Sequence, residues 1–172
     1  MTLNVKHFAE IDSTNDYALS LIDCENLTSD IAVVADKQTS GRGRLNGRVW
    51  QSPKGNFYCS YIVNLEDFQI FIGKASILTS MVMDVLYKYL IKMTQTNRIT
   101  LKQPNDILVN GKKLAGVLTE VSYPYAVIGI GINLINAPIE RATDLKSEFN
   151  LLVKPTELVE NFYEFLISAL KK

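Results

Sequence analysis

Gly41-Arg42-Gly43-Arg44-Leu45-Asn46-Gly47-Arg48-Val49-Trp50 sets three glycines and three arginines in its first eight positions and closes on a tryptophan. Arginine supplies planar, permanently charged forks that match carboxylate and phosphate groups. Glycine lets the backbone approach a ligand closely or take φ > 0. The charges are too crowded to be buried together, so the stretch reads as a loop folding over an anionic ligand, with Trp50 as an apolar anchor. A basic surface turn and an arginine-glycine RNA segment are the competing readings, although such RNA segments are usually longer and repetitive.

The flanks of this loop place it in a sheet. Ile31-Ala32-Val33-Val34-Ala35 is a continuous, β-branched apolar run of strand length, and it delivers Lys37, Gln38 and Thr39 to the loop. Beyond the loop, Ser52-Pro53-Lys54-Gly55 reads as a turn and Asn56 to Asn64 as the next strand. A long excursion between two strands of a compact domain is usually functional or disordered. Gln38, at the strand end, can point its amide into a site. Upstream, Val5 to Ile11 alternates as a strand and Tyr17 to Ile22 carries a helical face of Ala18, Leu21 and Ile22. Ser13, Thr14 and Asn15 lie at the junction between them, where they act as caps or meet polar ligand groups beside free backbone N–H groups.

Downstream, about Ile70 to Gln95 is the longest helical pattern, with Leu78, Met81, Val85, Tyr89 and Met93 at spacings of three and four. Ile99 to Lys102 and Ile107 to Val109 read as strands around Gln103-Pro104-Asn105-Asp106. Asn110-Gly111 is a hairpin-turn signal, and the return strand runs from Lys112 to about Ser122. Lys113 stands beside Leu114, Ala115 and Gly116, so its ammonium must meet an anion or snorkel outward. Ala126 to Asn133 is a further strand in which Gly129 and Gly131 leave one face bare. A dinucleotide-binding reading fails there, because Leu134 stands at the third glycine position of the fingerprint. After Pro138 a polar stretch leads to Thr156, the expected N-cap of a terminal helix marked by Leu158, Phe162, Phe165 and Ala169.

A chain of 172 residues and 19.3 kDa fits one domain, residues 1–172. Its 18 basic and 18 acidic residues balance, so nothing general draws it to DNA or to an anionic membrane, and the basic loop is a local device. Cys24 and Cys59 lack disulfide-scaffold or CxxC spacing, which suits free thiols in a reducing cytoplasm. No stretch has the ~18 apolar residues of a membrane span. The single histidine, His7, has no cluster of metal-ligating residues around it, which argues against a protein-borne metal site.

Four segments now stand in order: Ser13-Thr14-Asn15; Gln38 with the glycine-arginine loop and Trp50; Lys102-x-Pro104-Asn105-Asp106 with Lys113-Leu114-Ala115-Gly116; and Gly129-Ile130-Gly131-Ile132-Asn133. Together they closely resemble the catalytic domain of biotin protein ligases (biotin–[acetyl-CoA-carboxylase] ligases), over about Phe8 to Asn133. With the elements read above, the resemblance implies an α+β fold: a mixed, largely antiparallel sheet with helices packed on one face. It implies formation of biotinyl-5′-AMP from biotin and ATP with Mg2+, then transfer of biotin to one lysine of a biotin carboxyl carrier protein. Ser13, Thr14, Asn15 and Gln38 would hold the biotin rings. Gly41, Arg42 and Arg44 would close over the biotin carboxylate and the adenylate phosphate, with Arg48 and Trp50 completing the loop. Lys113 would neutralise charge at the α-phosphate, with Lys102 as a lesser contributor. Asn105 and Asp106 would lie by the phosphates, and Asp106 could help deprotonate the incoming lysine. Gly116, Gly129 and Gly131 would give the ligand room, and Asn133 would help bind the nucleotide. Mg2+ would be held through the ATP phosphates.

The departures from the family pattern carry their own expectations. Leu45-Asn46 fills a place where one residue is usual, which bears on Arg48 and Trp50. Gln103 stands where a tryptophan is usual. No helix-turn-helix segment is seen before the catalytic domain and no β-barrel segment after it, so operator binding is not expected. Homodimer formation is left open. A lipoate–protein ligase of the same superfamily is the nearest rival, although its usual R-R-x-x-G-G-G loop is absent, and a non-catalytic anion- or RNA-binding module is the rival from another class.

Overall fold

The computed structural model describes residues 3–24, 27–45, 47–68 and 75–171. Its elements are β1 (Leu3–Phe8), α1 (Thr14–Cys24), β2 (Asp30–Ala35), β3 (Phe57–Asn64), α2 (Ala75–Thr94), β4 (Ile99–Lys102), β5 (Asp106–Val109), β6 (Lys112–Ser122), β7 (Tyr125–Ile132), α3 (Leu145–Phe149) and α4 (Pro155–Leu170). The strands form one seven-stranded sheet in the order β1-β2-β3-β7-β6-β5-β4. β1 and β2 pair in parallel and every other pair is antiparallel, giving the mixed, largely antiparallel sheet.

Side-chain alternation divides the sheet into two faces. Ala32, Val34, Cys59, Tyr61, Ile128, Ile130 and Ile132 turn to one face, where Leu78, Val82 and Leu86 of α2 and Phe162 and Leu166 of α4 close the main core. Ile31, Val33, Ile62 and Val127 turn to the other face and pack on Ala18 and Leu21 of α1. The helices are therefore not confined to one face as the sequence suggests. The long α2 and α4 fill one side. α1, the crossover that the parallel β1–β2 pair requires, takes the other. Its short apolar stripe covers only part of that side and leaves the remainder open.

Three local expectations shift. α4 begins with Pro155 at its first turn after an extended Lys154, so Thr156 lies inside the helix rather than at its N-cap; the fixed φ of proline suits that first position. The polar stretch after Pro138 contains α3, capped where the Ser147 N–H donates to Asp144 Oδ1 (2.8 Å) and ended by Asn150 at φ 53. Five residues are too few to show a helical period. The expected start of the long helix at Ile70 lies outside the described residues. Far from the open face, the Tyr61 hydroxyl donates to the Val159 carbonyl (2.8 Å) and the Tyr163 hydroxyl to Asp30 Oδ2 (2.6 Å), tying α4 to β3 and β2.

Candidate active site

The open part of the α1 face is floored by β3, β7 and β6. Cross-strand register sets Ser60 opposite Gly129, Leu118 opposite Gly129, and Gly116 opposite Gly131, so these residues share that face. The floor, the N-terminus of α1 and the β2–β3 loop enclose a cavity of about 1140 Å³.

The glycine-arginine loop is itself a small hairpin. The Trp50 N–H donates to the Gly41 carbonyl (2.8 Å), the Gly43 N–H to Arg48 (2.7 Å), and the Arg48 N–H to Leu45 (3.0 Å). A Cβ on Gly41 would sit 2.5 Å from the Trp50 carbonyl oxygen, so only glycine lets the neck close. The Leu45 carbonyl takes the outermost of these bonds, and Arg48 and Trp50 both lie in the ladder. Asn46 itself lies outside the described residues. The Trp50 indole lies flat on β6 and β7: a Cβ on Gly131 would be 2.6 Å from its ring, and one on Gly116 3.1 Å. A Cβ on Gly129 would be 2.1 Å from Asn15 Oδ1. The space beside these three glycines thus holds protein side chains that wall the cavity.

At one end of the cavity the polar groups form a continuous network. The Thr14 N–H and hydroxyl both donate to Gln38 Oε1 (2.8 and 3.0 Å), and Gln38 Nε2 donates to Ser52 Oγ (2.8 Å). Buried Ser60 donates to Asn15 Oδ1 (2.6 Å) and stands 2.8 Å from Thr14 Oγ1. Asn15 Nδ2 donates to the Leu118 carbonyl (3.2 Å) and to Glu120 (2.8 Å). Ser13 caps α1, accepting from the Asp16 N–H (3.3 Å). Arg42 lies between two carboxylates, with Nε 2.6 Å from Asp16 and Nη2 2.7 Å from Glu120. Burial works against its charge, but the hydrogen bonds and charges of Glu120 and Asp16 outweigh this and hold the Arg42 guanidinium above its usual range.

The other end is cationic. Lys113 reaches it through a bulge in β6. Ile107 pairs with Ala115 but Leu108 pairs with Lys113, which leaves Leu114 as the extra residue. Strict alternation would turn Lys113 to the same side as Ala115 and Val117, into the main core. The bulge instead buries Leu114 and Ala115 together in that core and swings Lys113 to the open face. Its Nζ is 2.5 Å from Asp106 Oδ1 and 4.5 Å from the Trp50 ring centroid. Its backbone is pinned as well: Lys113 N–H donates to Arg141 and its carbonyl accepts from Thr143 (both 2.9 Å). Asn105 Nδ2 donates to the Val117 carbonyl (3.1 Å), which fixes the β4–β5 turn, and Lys102, Arg44 and Arg48 complete the basic wall. Asn133 is 1% exposed and donates to the Lys113 and Thr143 carbonyls (3.2 and 3.0 Å), while its Oδ1 and Trp50 Nε1 are buried without a partner. Burial pushes the phenol of Tyr58, which also borders the cavity, up to about 12, against a hydrogen bond from Asn56.

Each residue expected from the sequence to form the site lines this cavity, apart from Gly41 at the hairpin neck. Sequence reasoning missed Ser60, Asp16, Glu120 and the Pro138–Ala142 segment, which also border it or support its walls. Ser60 had a signal, as a polar residue among the aromatic and apolar ones of β3, whereas Glu120 shares β6 with Thr119, Ser122 and two lysines and had none. Among the described residues no group of three or more His, Cys, Asp or Glu stands together, and no helix is long and apolar enough to cross a membrane.

The cleft of this α+β domain has a hydrogen-bonding cluster at one end, lysine and arginine at the other, and an arginine hairpin beside them. Residues 7–133 match the Biotin/lipoate A/B protein ligase family, and the chain belongs to that family. It is 35% identical over 136 residues to a biotin–[acetyl-CoA-carboxylase] ligase of Paracoccus denitrificans, covering 76% of this chain and 54% of that protein. It superposes on the biotin protein ligase of Aquifex aeolicus in complex with biotin and ATP with a TM-score of 0.81 at 31% identity, covering 98% of this chain and 71% of that one. The biotin protein ligase of Leishmania major in complex with biotinyl-5-AMP gives a TM-score of 0.81 at 26% identity, covering 97% and 74%. The chain therefore spans about half the length of the curated relative it matches.

Proposed function

We propose that the chain is a biotin–protein ligase catalytic domain. It would form biotinyl-5′-AMP from biotin and ATP and transfer the biotinyl group to a lysine of a biotin carboxyl carrier protein. The observation that carries this is the placement of Lys113, swung by the β6 bulge onto the ligand face opposite the amide-lined end of one cavity. A ligand spanning the cleft would set a polar ring against Asn15, Thr14, Ser60 and Gln38 and a carboxylate near Lys113. The ureido ring of biotin offers donors and an acceptor to that buried network. The dithiolane ring of lipoate offers no strong ones and would only lay apolar surface over that polar network.

In the first half-reaction a carboxylate oxygen of biotin attacks the α-phosphorus of ATP. The new P–O bond forms as the α–β phosphoanhydride bond breaks, and pyrophosphate leaves. Lys113, with Arg44 and Arg48 from the hairpin, neutralises the charge that builds on the phosphoryl oxygens. Lys102 adds to this field, Asn105 shapes the turn below it, and the orphan Asn133 Oδ1 suits an amino-group donor of the nucleotide. Mg2+ would neutralise phosphate charge. The Asp106 carboxylate beside Lys113 suits it as an oxygen donor, and the ATP phosphates would supply the rest. In the second half-reaction the carrier's lysine amine attacks the acyl carbon, the acyl–phosphate C–O bond breaks, AMP departs, and Asp106 takes the ammonium proton. The hairpin, closed on the floor by Trp50, would keep water from the mixed anhydride meanwhile. Cys24 and Cys59 are free, which suits the reducing cytoplasm.

Pyrophosphate release from ATP, measured with biotin and with lipoate in turn, tests the proposal. Release with biotin, followed by single-turnover labelling of a carboxyl carrier domain, is the expected result. Release with lipoate alone would overturn it.

A further inference from the structure

Glu120 is a charged residue on the floor of the cavity, two residues along β6 from Leu118 and four from Gly116, and no step above uses it. A half-buried carboxylate there is costly unless it is paired. Its Oε2 accepts from Asn15 Nδ2 (2.8 Å) and from Arg42 Nη2 (2.7 Å) at once. Arg42 spends a second edge on Asp16 (2.6 Å). Two consequences follow from the geometry.

First, Asn15 cannot flip its amide. Turning it would set Oδ1 against two acceptors, the Leu118 carbonyl and Glu120, so Glu120 fixes the orientation that Asn15 offers to a ring. Second, Arg42 is held as an anchor of the hairpin's first arm, and clamping of an anion falls to Arg44 and Arg48 further out. The second arm is tied to the same end of the site, because Ser52, which accepts from Gln38, donates to the Trp50 carbonyl (3.0 Å).

We infer that Glu120 is a positioning residue that couples the ring-recognition end of the cavity to the arginine hairpin, by holding Asn15 and Arg42 through one carboxylate oxygen. This rests on the ligase reading. The ion cluster is partly exposed, with side-chain exposures of 27% for Glu120, 37% for Arg42 and 51% for Asp16, so solvent screens it and its effect is moderate rather than all-or-none.

The test is release of preformed, labelled biotinyl-5′-AMP into an unlabelled chase, for the wild type, Glu120→Ala, Arg42→Ala and the double variant. Each single change is expected to speed release about tenfold, the effect of one lost charge-assisted hydrogen bond after screening. The double variant should be no faster than the singles, because both break the same contact. The KM for biotin should rise in Glu120→Ala, where Asn15 loses its hold. Glu120→Gln keeps an oxygen for Asn15 and should fall between wild type and alanine; it carries the test if the alanine variant does not fold. Unchanged release in Glu120→Ala, or single effects that multiply in the double variant, would overturn the inference. A second readout does not need the chemistry: biotin alone should protect the hairpin from trypsin at Arg44 and Arg48 in the wild type and not in Glu120→Ala. A wild type that binds biotin but makes no adenylate sinks the ligase reading while the protection experiment still decides the role of Glu120.

Discussion

Gly129→Ala is the most demanding test of how the site is built. The added Cβ would lie 2.1 Å from Asn15 Oδ1, 2.9 Å from Asn15 Cγ and 3.0 Å from the Leu118 carbonyl oxygen. Ordinary contacts are ~3.5 Å or more, so something must move by about 1 Å. The Leu118 oxygen belongs to a paired strand, and the Asn15 side chain has to give way. It would surrender its bonds to Ser60 (2.6 Å), Leu118 (3.2 Å) and Glu120 (2.8 Å). Neutral hydrogen bonds contribute ~1 kcal/mol net and those to charged groups ~1.5–3 kcal/mol. Asn15 borders the cavity and recovers some hydration, which reduces the sum to about 2–4 kcal/mol of stability, or roughly 5–15 °C in Tm for a domain of this size. The same side chain is the one proposed to meet the biotin ring. Losing ~2 kcal/mol of that contact weakens binding about 30-fold. Calorimetric titration with biotin and thermal unfolding of the same sample read both quantities. An alanine variant that binds biotin within about threefold of wild type, with its Tm unmoved, would refute the proposed packing of Asn15 against Gly129.

Three further outcomes are expected. Lys113→Ala should lower the rate of biotinyl-adenylate formation by about 10²–10³, the usual loss of one preorganised charge-stabilising group; pyrophosphate release near the wild-type rate would remove Lys113 from the chemistry. Arg44→Ala should speed leakage of the adenylate and lower the fraction transferred to the carrier domain, and unchanged retention in a chase experiment would mean that the hairpin is no lid. Asp30→Asn reports on the buried end of α4: burial raises the Asp30 carboxyl above its ordinary 3.8, and the Tyr163 hydrogen bond opposes this only in part. A raised folded-state pKa means that stability is fully present below the unfolded value and is lost as pH rises through the folded one. The asparagine variant lacks that loss, so its stability relative to wild type should grow as pH climbs from about 4; a difference that shrinks in denaturant titrations at rising pH contradicts the assignment.

Most elements were legible because their signals are local. The apolar run Ile31–Ala35, the Asn110-Gly111 turn and the three- and four-residue spacing of Leu78, Met81, Val85 and Tyr89 are each read from neighbouring stretches of chain. α3 was missed because five residues show no period, and the α4 cap was misplaced by two residues because Pro155 and Thr156 are both good starters. The site residues were legible where they sit at strand ends and loops in recognisable order. Ser60 and Glu120 were missed, because they join the site only through β3-β7-β6 adjacency, which brings together segments far apart in the chain.

By itself, then, the sequence determined the strands and long helices, the loop that carries the arginines, and the polar groups available to a ligand. The tertiary structure alone decided which face each group serves. An extra residue in β6 moved Lys113 from the core side to the open side, and α1, on the face opposite α2 and α4, left an open floor. The loop folded into a hairpin laddered by backbone bonds from Gly41–Trp50 to Leu45–Arg48. The space beside Gly116, Gly129 and Gly131 went to Trp50, Lys113 and Asn15. The physical reason is that alternation is a local rule with period two, whereas register, bulges and neighbouring strands are fixed by pairing between distant segments.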